Sequence, residues 1–171
     1  MAIQLQEFAQ QVLFGTTMEA KLSFPREAII DTKPGPAIRT PRTLARPQHL
    51  VLREDGVRAK YPSEVKLVDE RERGRLLHFF ANHELLATEL MALVLLKFPD
   101  APTSFRRGVL ETLKEEQIHT QLYMHRMQQC GVDFGELPVS DYFWKSVSSM
   151  EDPLDYVTRL SLTFEQANLD Y

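Results

Sequence analysis

At 171 residues the chain is long enough to bury one respectable core, and 43% hydrophobic with 26% charged residues is the balance of an ordinary soluble globular protein. A formal net charge of −4 gives no general pull toward nucleic acid or an anionic membrane. The single cysteine, Cys130, excludes an intrachain disulfide and suits a reducing compartment, so a cytoplasmic setting is expected.

Met1 to Gln10 shows no basic segment followed by an apolar one, so no secretion signal is expected. No uninterrupted apolar run reaches about 18 residues, which argues against a membrane span. Leu5, Phe8, Ala9, Val12 and Leu13 recur at helical spacing and predict a short amphipathic helix within residues 3–20, interrupted at Gly15 and Thr16. From Lys21 to Pro62 the periodicity disappears, and Pro25, Pro34, Pro36, Pro41, Pro47 and Pro62 punctuate what reads as an extended wrapping arm or linker. After residue 32 that arm carries Lys33, Arg39, Arg42, Arg46, Arg53, Arg58 and Lys60 against Glu54 and Asp55. Such an arm either contacts a polyanion such as RNA or lies along its own acidic body. Two regions follow: a short helix with a Pro-rich arm over 1–62, and a helical body over 63–171.

Residues 63–75 are strongly charged, and Ser63, Glu64, Asp69, Glu70 and Glu72 suit a helix N-terminal region by cap and macrodipole, so a long helix is expected to begin within this stretch. In it Leu77, Phe80, Glu84, Ala87, Met91, Val94 and Phe98 fall on one face. A turn around Pro99 and Pro102 follows, with Thr103 or Ser104 as the expected N-cap of a second helix. There Phe105, Val109, Thr112, Glu116, His119, Tyr123 and Met127 share a face, so a carboxylate and an imidazole stand where core residues belong. A short turn makes the two helices antiparallel. Glu84 lies about 13 residues before the turn and Glu116 about 12 after it, which at about 1.5 Å per residue sets both at the same height. A lone E-x-x-H is common by chance, but an inward Glu meeting it at the matching level makes half of a carboxylate-bridged two-metal site.

Gly131 to Glu151 is a long connection with an aromatic cluster, Tyr142, Phe143 and Trp144, expected to plug one bundle end, with a substrate-facing wall as the alternative. Asp152 and Pro153 then start a third helix that is expected to run to Tyr171. Glu165 stands about 12 residues after that start, the same offset as Glu116 in the second helix, and is a fourth candidate ligand. The closing residues hold neither a glycine cap nor a later proline, so the third helix is expected to be cut rather than finished, before a fourth.

His83-Glu84-Leu85 with Glu89-Leu90-Met91-Ala92, Glu115-Glu116-Gln117-Ile118-His119-Thr120, Asp141-Tyr142-Phe143-Trp144 and Leu162-Thr163-Phe164-Glu165 together resemble the ferritin-like superfamily. Within it they resemble the bacterial family catalogued as domain of unknown function 455. The resemblance covers nearly all of the chain. It implies an all-α, ferritin-like four-helix bundle, of which three core helices are present, carrying an extended Pro-rich arm. It assigns metal ligation to Glu84, Glu116, His119 and Glu165, with the second E-x-x-H lacking a counterpart. Iron or manganese is the implied metal, two per complete site, in an oxidase or hydroxylase that activates dioxygen. A distant likeness to tRNA-modifying hydroxylases goes with it.

Iron handling or peroxide defence would use the same ligands, and a non-catalytic scaffold would use them only to fix helix register. Glu89 is an alternative to Glu84, and His83 and His125 are candidate partners of the ligands, while Glu115 is expected to face solvent. The groove left by a missing helix is the expected route to self-association.

Overall fold

A computed structural model of the chain describes residues 2–52 and 64–160, and they are mostly helical, as an all-α reading requires. The order is β1 (Ile3–Gln4), α1 (Leu5–Phe14), α2 (Met18–Leu22), β2 (Ile29–Ile30), α3 (Glu70–Lys97), α4 (Thr103–Gln129), α5 (Tyr142–Val147) and α6 over residues 153–160. The last eleven residues, Glu165 among them, lie outside the described residues.

α3 is the axis. Asp69 caps it by accepting from the backbone N–H groups of Arg71 and Glu72, with Glu70 and Glu72 in the first turn to complement the helix dipole. From Leu85 to Leu96 every residue is buried, on all sides of the helix. A helix apolar all round must be enclosed. α3 is accordingly the one helix among the described residues long and apolar enough to cross a membrane, and most of that stretch is buried inside the protein.

What encloses α3 includes the short amphipathic helix expected near the N-terminus. Leu5, Phe8, Ala9, Val12 and Leu13 of α1 join Leu86, Leu90, Leu93, Val109, Leu113, Phe143, Trp144 and Val147 in one cluster. Each fully buried large apolar side chain contributes roughly 1.5–3 kcal/mol, so α1 is a structural layer of the core. The Pro-rich segment then runs along the body, with the Ile38 N–H bonded to Leu96 O and the Thr40 hydroxyl to Ser148 O. The short parallel pairing of Ile3 with Ile29 was not anticipated in the sequence.

α3 and α4 form the hairpin expected from the turn at Pro99 to Pro102. The cap differs: α4 begins at Thr103 behind Pro102, and no side chain caps it. Close by, the buried Arg106 meets the end of α3: its Nη1 donates to Leu95 O and to Phe98 O just past the helix, while its Nε and Nη2 donate to Asp31. At the other end Gly131, at φ 73°, closes α4: its N–H bonds Gln128 O and the Val132 N–H bonds Met127 O, a Schellman turn that needs the left-handed region.

The face that α4 buries shares only Val109 and Met127 with the expected one. Arg106, Val109, Leu113, Gln117, Thr120 and Met127 are buried, whereas Phe105, Thr112, Glu116 and Tyr123 lie half-buried on an adjacent strip and His119 is exposed. α6 starts beside the start of α4, with the Tyr156 ring set edge-on to Phe105 at 6.5 Å.

Candidate metal centre

Glu84 on α3 and Glu116 with His119 on α4 meet at one level, as counting from the turn predicts. One donor atom from each lies within 4.8 Å of the others. Ligands about 2.1 Å from a shared ion are at most about 4.2 Å apart, so the cluster needs only a small contraction to hold one. His119 Nδ1 is 3.0 Å from Glu116 Oε2, and the His119 side chain is 50% exposed against 15% for Glu116. The group is therefore closed on the α3 side and open at the imidazole.

Burial, then a hydrogen bond to Glu116 and the charge of that carboxylate, push the Glu84 carboxyl up to about 8. Two acids this close cannot both ionise without a proton or a cation between them. Among the described residues no lysine or arginine forms an ion pair with either. Tyr123 and Tyr156 border the group, and burial, reinforced by the Glu116 charge, raises both phenols. In each parent helix a buried threonine one turn on donates to the acid's own carbonyl: Thr88 to Glu84 O at 2.9 Å, and Thr120 to Glu116 O at 2.8 Å.

The family described as Protein of unknown function (DUF455) matches residues 5–171. The chain belongs to the DUF455 family. No curated protein and no solved structure matches it.

In this DUF455 chain Glu89 is no rival of Glu84. It is fully buried and holds two cations, Lys21 Nζ at 2.9 Å and Arg46 Nη2 at 2.6 Å, with Arg46 Nε also in reach of both oxygens. His83 lies beside the cluster, stacked on Phe143 at 4.6 Å, and burial lowers its pKa against the raising effect of the Glu116 charge. Of the aromatic cluster, Phe143 and Trp144 are buried in the main core, while Tyr142 is exposed. His125 is exposed and bonded to Gln129, away from the acids, and Glu115 faces solvent as expected.

Proposed function

We propose that this DUF455 chain is a ferritin-like di-iron or di-manganese carboxylate protein, an oxidase or hydroxylase acting with dioxygen in the cytoplasm. The observation that carries the reading is the convergence of Glu84, Glu116 and His119 within 4.8 Å, with the acids unpaired to any lysine or arginine among the described residues. Two hard carboxylate donors and one imidazole suit iron or manganese. In this assignment Glu84, Glu116 and His119 would hold one metal, and Glu116 with Glu165 would serve the second. Iron held there would supply redox chemistry toward dioxygen. The chain's own part is to deliver Glu116 already hydrogen-bonded to both neighbours, to give up the Glu84 proton as a cation enters, and to shelter the acids behind Phe143 and His83.

A non-catalytic scaffold is the second reading, favoured by the His119–Glu116 and Glu84–Glu116 hydrogen bonds, which satisfy the three groups without any ion. Anaerobic loading with ferrous iron, followed by dioxygen and watched by absorption and Mössbauer spectroscopy, separates the two. The metal reading expects iron in oxygen and nitrogen ligation that oxidises on exposure, and folded protein that retains no iron would support the scaffold.

RNA contact by the arm is a weaker proposal. Arg46 is spent on Glu89, Lys33, Arg39 and Arg42 are exposed, and Arg53, Arg58 and Lys60 lie outside the described residues.

A further inference from the structure

The amides of Gln117 and Gln121, one turn apart on α4, donate to the last two carbonyls of α2, Lys21 O and Leu22 O, each at 2.8 Å. A helix leaves its final carbonyls without internal donors, so α4 caps α2 with two side chains. From Lys21 the chain of contacts continues through Nζ to Glu89, from Glu89 to Arg46, and from Arg46 Nη1 to Asn82 Oδ1 at 2.9 Å. Gln117 adjoins Glu116, and Asn82 and Glu89 flank Glu84 along α3. An unbroken run of buried polar contacts therefore ties α3 to α4 beside the candidate centre without passing through it.

Apolar packing between two helices resists sliding weakly, because neighbouring heights bury similar area. Directional bonds between buried polar groups do not allow such slippage. Gln117 bears a visible cost for its place, since its buried Oε1 has no partner among the described residues. An unmet buried acceptor costs roughly 1–3 kcal/mol. An apolar residue at that position would avoid the cost and would lose the bond to α2.

We infer that Gln117 and Gln121 are positioning residues which, through the Lys21–Glu89–Arg46 network, fix the height of α4 against α3 and so the spacing of Glu116 and His119 from Glu84. The consequence for metal binding rests on the reading proposed above. The spacing itself does not.

The test is a set of metal-free crystal structures and Co2+ titrations on wild type, Gln117→Met, Gln121→Ala and Val109→Ala, the last a buried α4 position outside the network that controls for lost stability. Gln117→Met is expected to spread the three donor atoms beyond 4.8 Å, and to shift the Co2+ absorption and weaken Co2+ binding about tenfold. Gln121→Ala, at an exposed position where folding is not at risk, is expected to do the same to a smaller degree, and it decides the matter if Gln117→Met does not fold. Val109→Ala is expected to leave spacing and spectrum alone. Donor atoms that keep their spacing in the glutamine variants, or that spread equally in Val109→Ala, would overturn the inference. A wild-type chain that takes up no Co2+ would instead count against the metal centre, while the spacing still decides the role of the glutamines.

Discussion

The carboxyl of Glu84 on α3 meets that of Glu116 on α4, and burial first, then a hydrogen bond to Glu116 and its charge, hold the Glu84 proton up to about pH 8. Its ordinary value is 4.5. An acid whose folded pKa lies above its unfolded one binds its proton more tightly in the fold. Its stabilising contribution is complete below about 4.5 and is lost as the pH rises through about 8. Metal-free wild type should therefore lose stability across that window, and Glu84→Gln, which cannot titrate, should show a flatter profile. Urea unfolding across the window checks this. An equal slope in both proteins would show that Glu84 is not the titrating group.

Metal entry must displace that same proton. Calorimetric titration with Mn2+ in two buffers of different ionisation heat, at neutral pH, should show net proton release that disappears in Glu84→Gln. Buffer-independent heats in wild type would contradict the shared proton.

Glu89→Ala should be among the most damaging single changes in the protein. It leaves Lys21 and Arg46 buried with no carboxylate between them, a situation that costs about 3–5 kcal/mol. Chemical denaturation should show the loss, whereas Glu84→Ala should cost far less, because Glu84 is half-buried and already carries the proton that neutralises it. Similar losses in the two variants would refute the division of roles between the two acids.

His78 sets an acid limit. Burial lowers its pKa to about 4, the Glu136 charge opposing, and its Nε2 accepts from the Gly135 N–H at 2.9 Å, which requires the neutral ring. A base with a depressed folded pKa stabilises above its unfolded value of 6.5 and loses that contribution as the pH falls through about 4. Thermal melts across this range should steepen in wild type and flatten in His78→Phe, which also forfeits about 1 kcal/mol for the lost acceptor at every pH.

Local signals carried the hairpin and its acids. The proline turn and the start at Pro153 rest on neighbours within a few residues, and the count that sets Glu84 level with Glu116 needs only that turn and the helical rise, whereas the start of α3 was legible only as lying within residues 63–75. The buried side of α4 showed itself only at Val109 and Met127, because three of its other members, Arg106, Gln117 and Thr120, are polar. Arg106 and Gln117 look like surface until Asp31 and the Lys21 carbonyl are in place to satisfy them, and neither partner is near them in sequence. The same blindness made Glu89 look like a spare ligand when its cations come from α2 and the Pro-rich segment. Nor could periodicity show that α1 completes the core, since a short amphipathic helix reads alike whether it packs on its own domain or on another.

Iron content of the anaerobically loaded protein, measured in wild type, Glu116→Ala and His119→Ala with the helical circular dichroism of each, tests the central claim most directly. The account predicts iron in wild type and a clear loss in both variants with the helices intact, whereas unchanged iron content in both variants would contradict it.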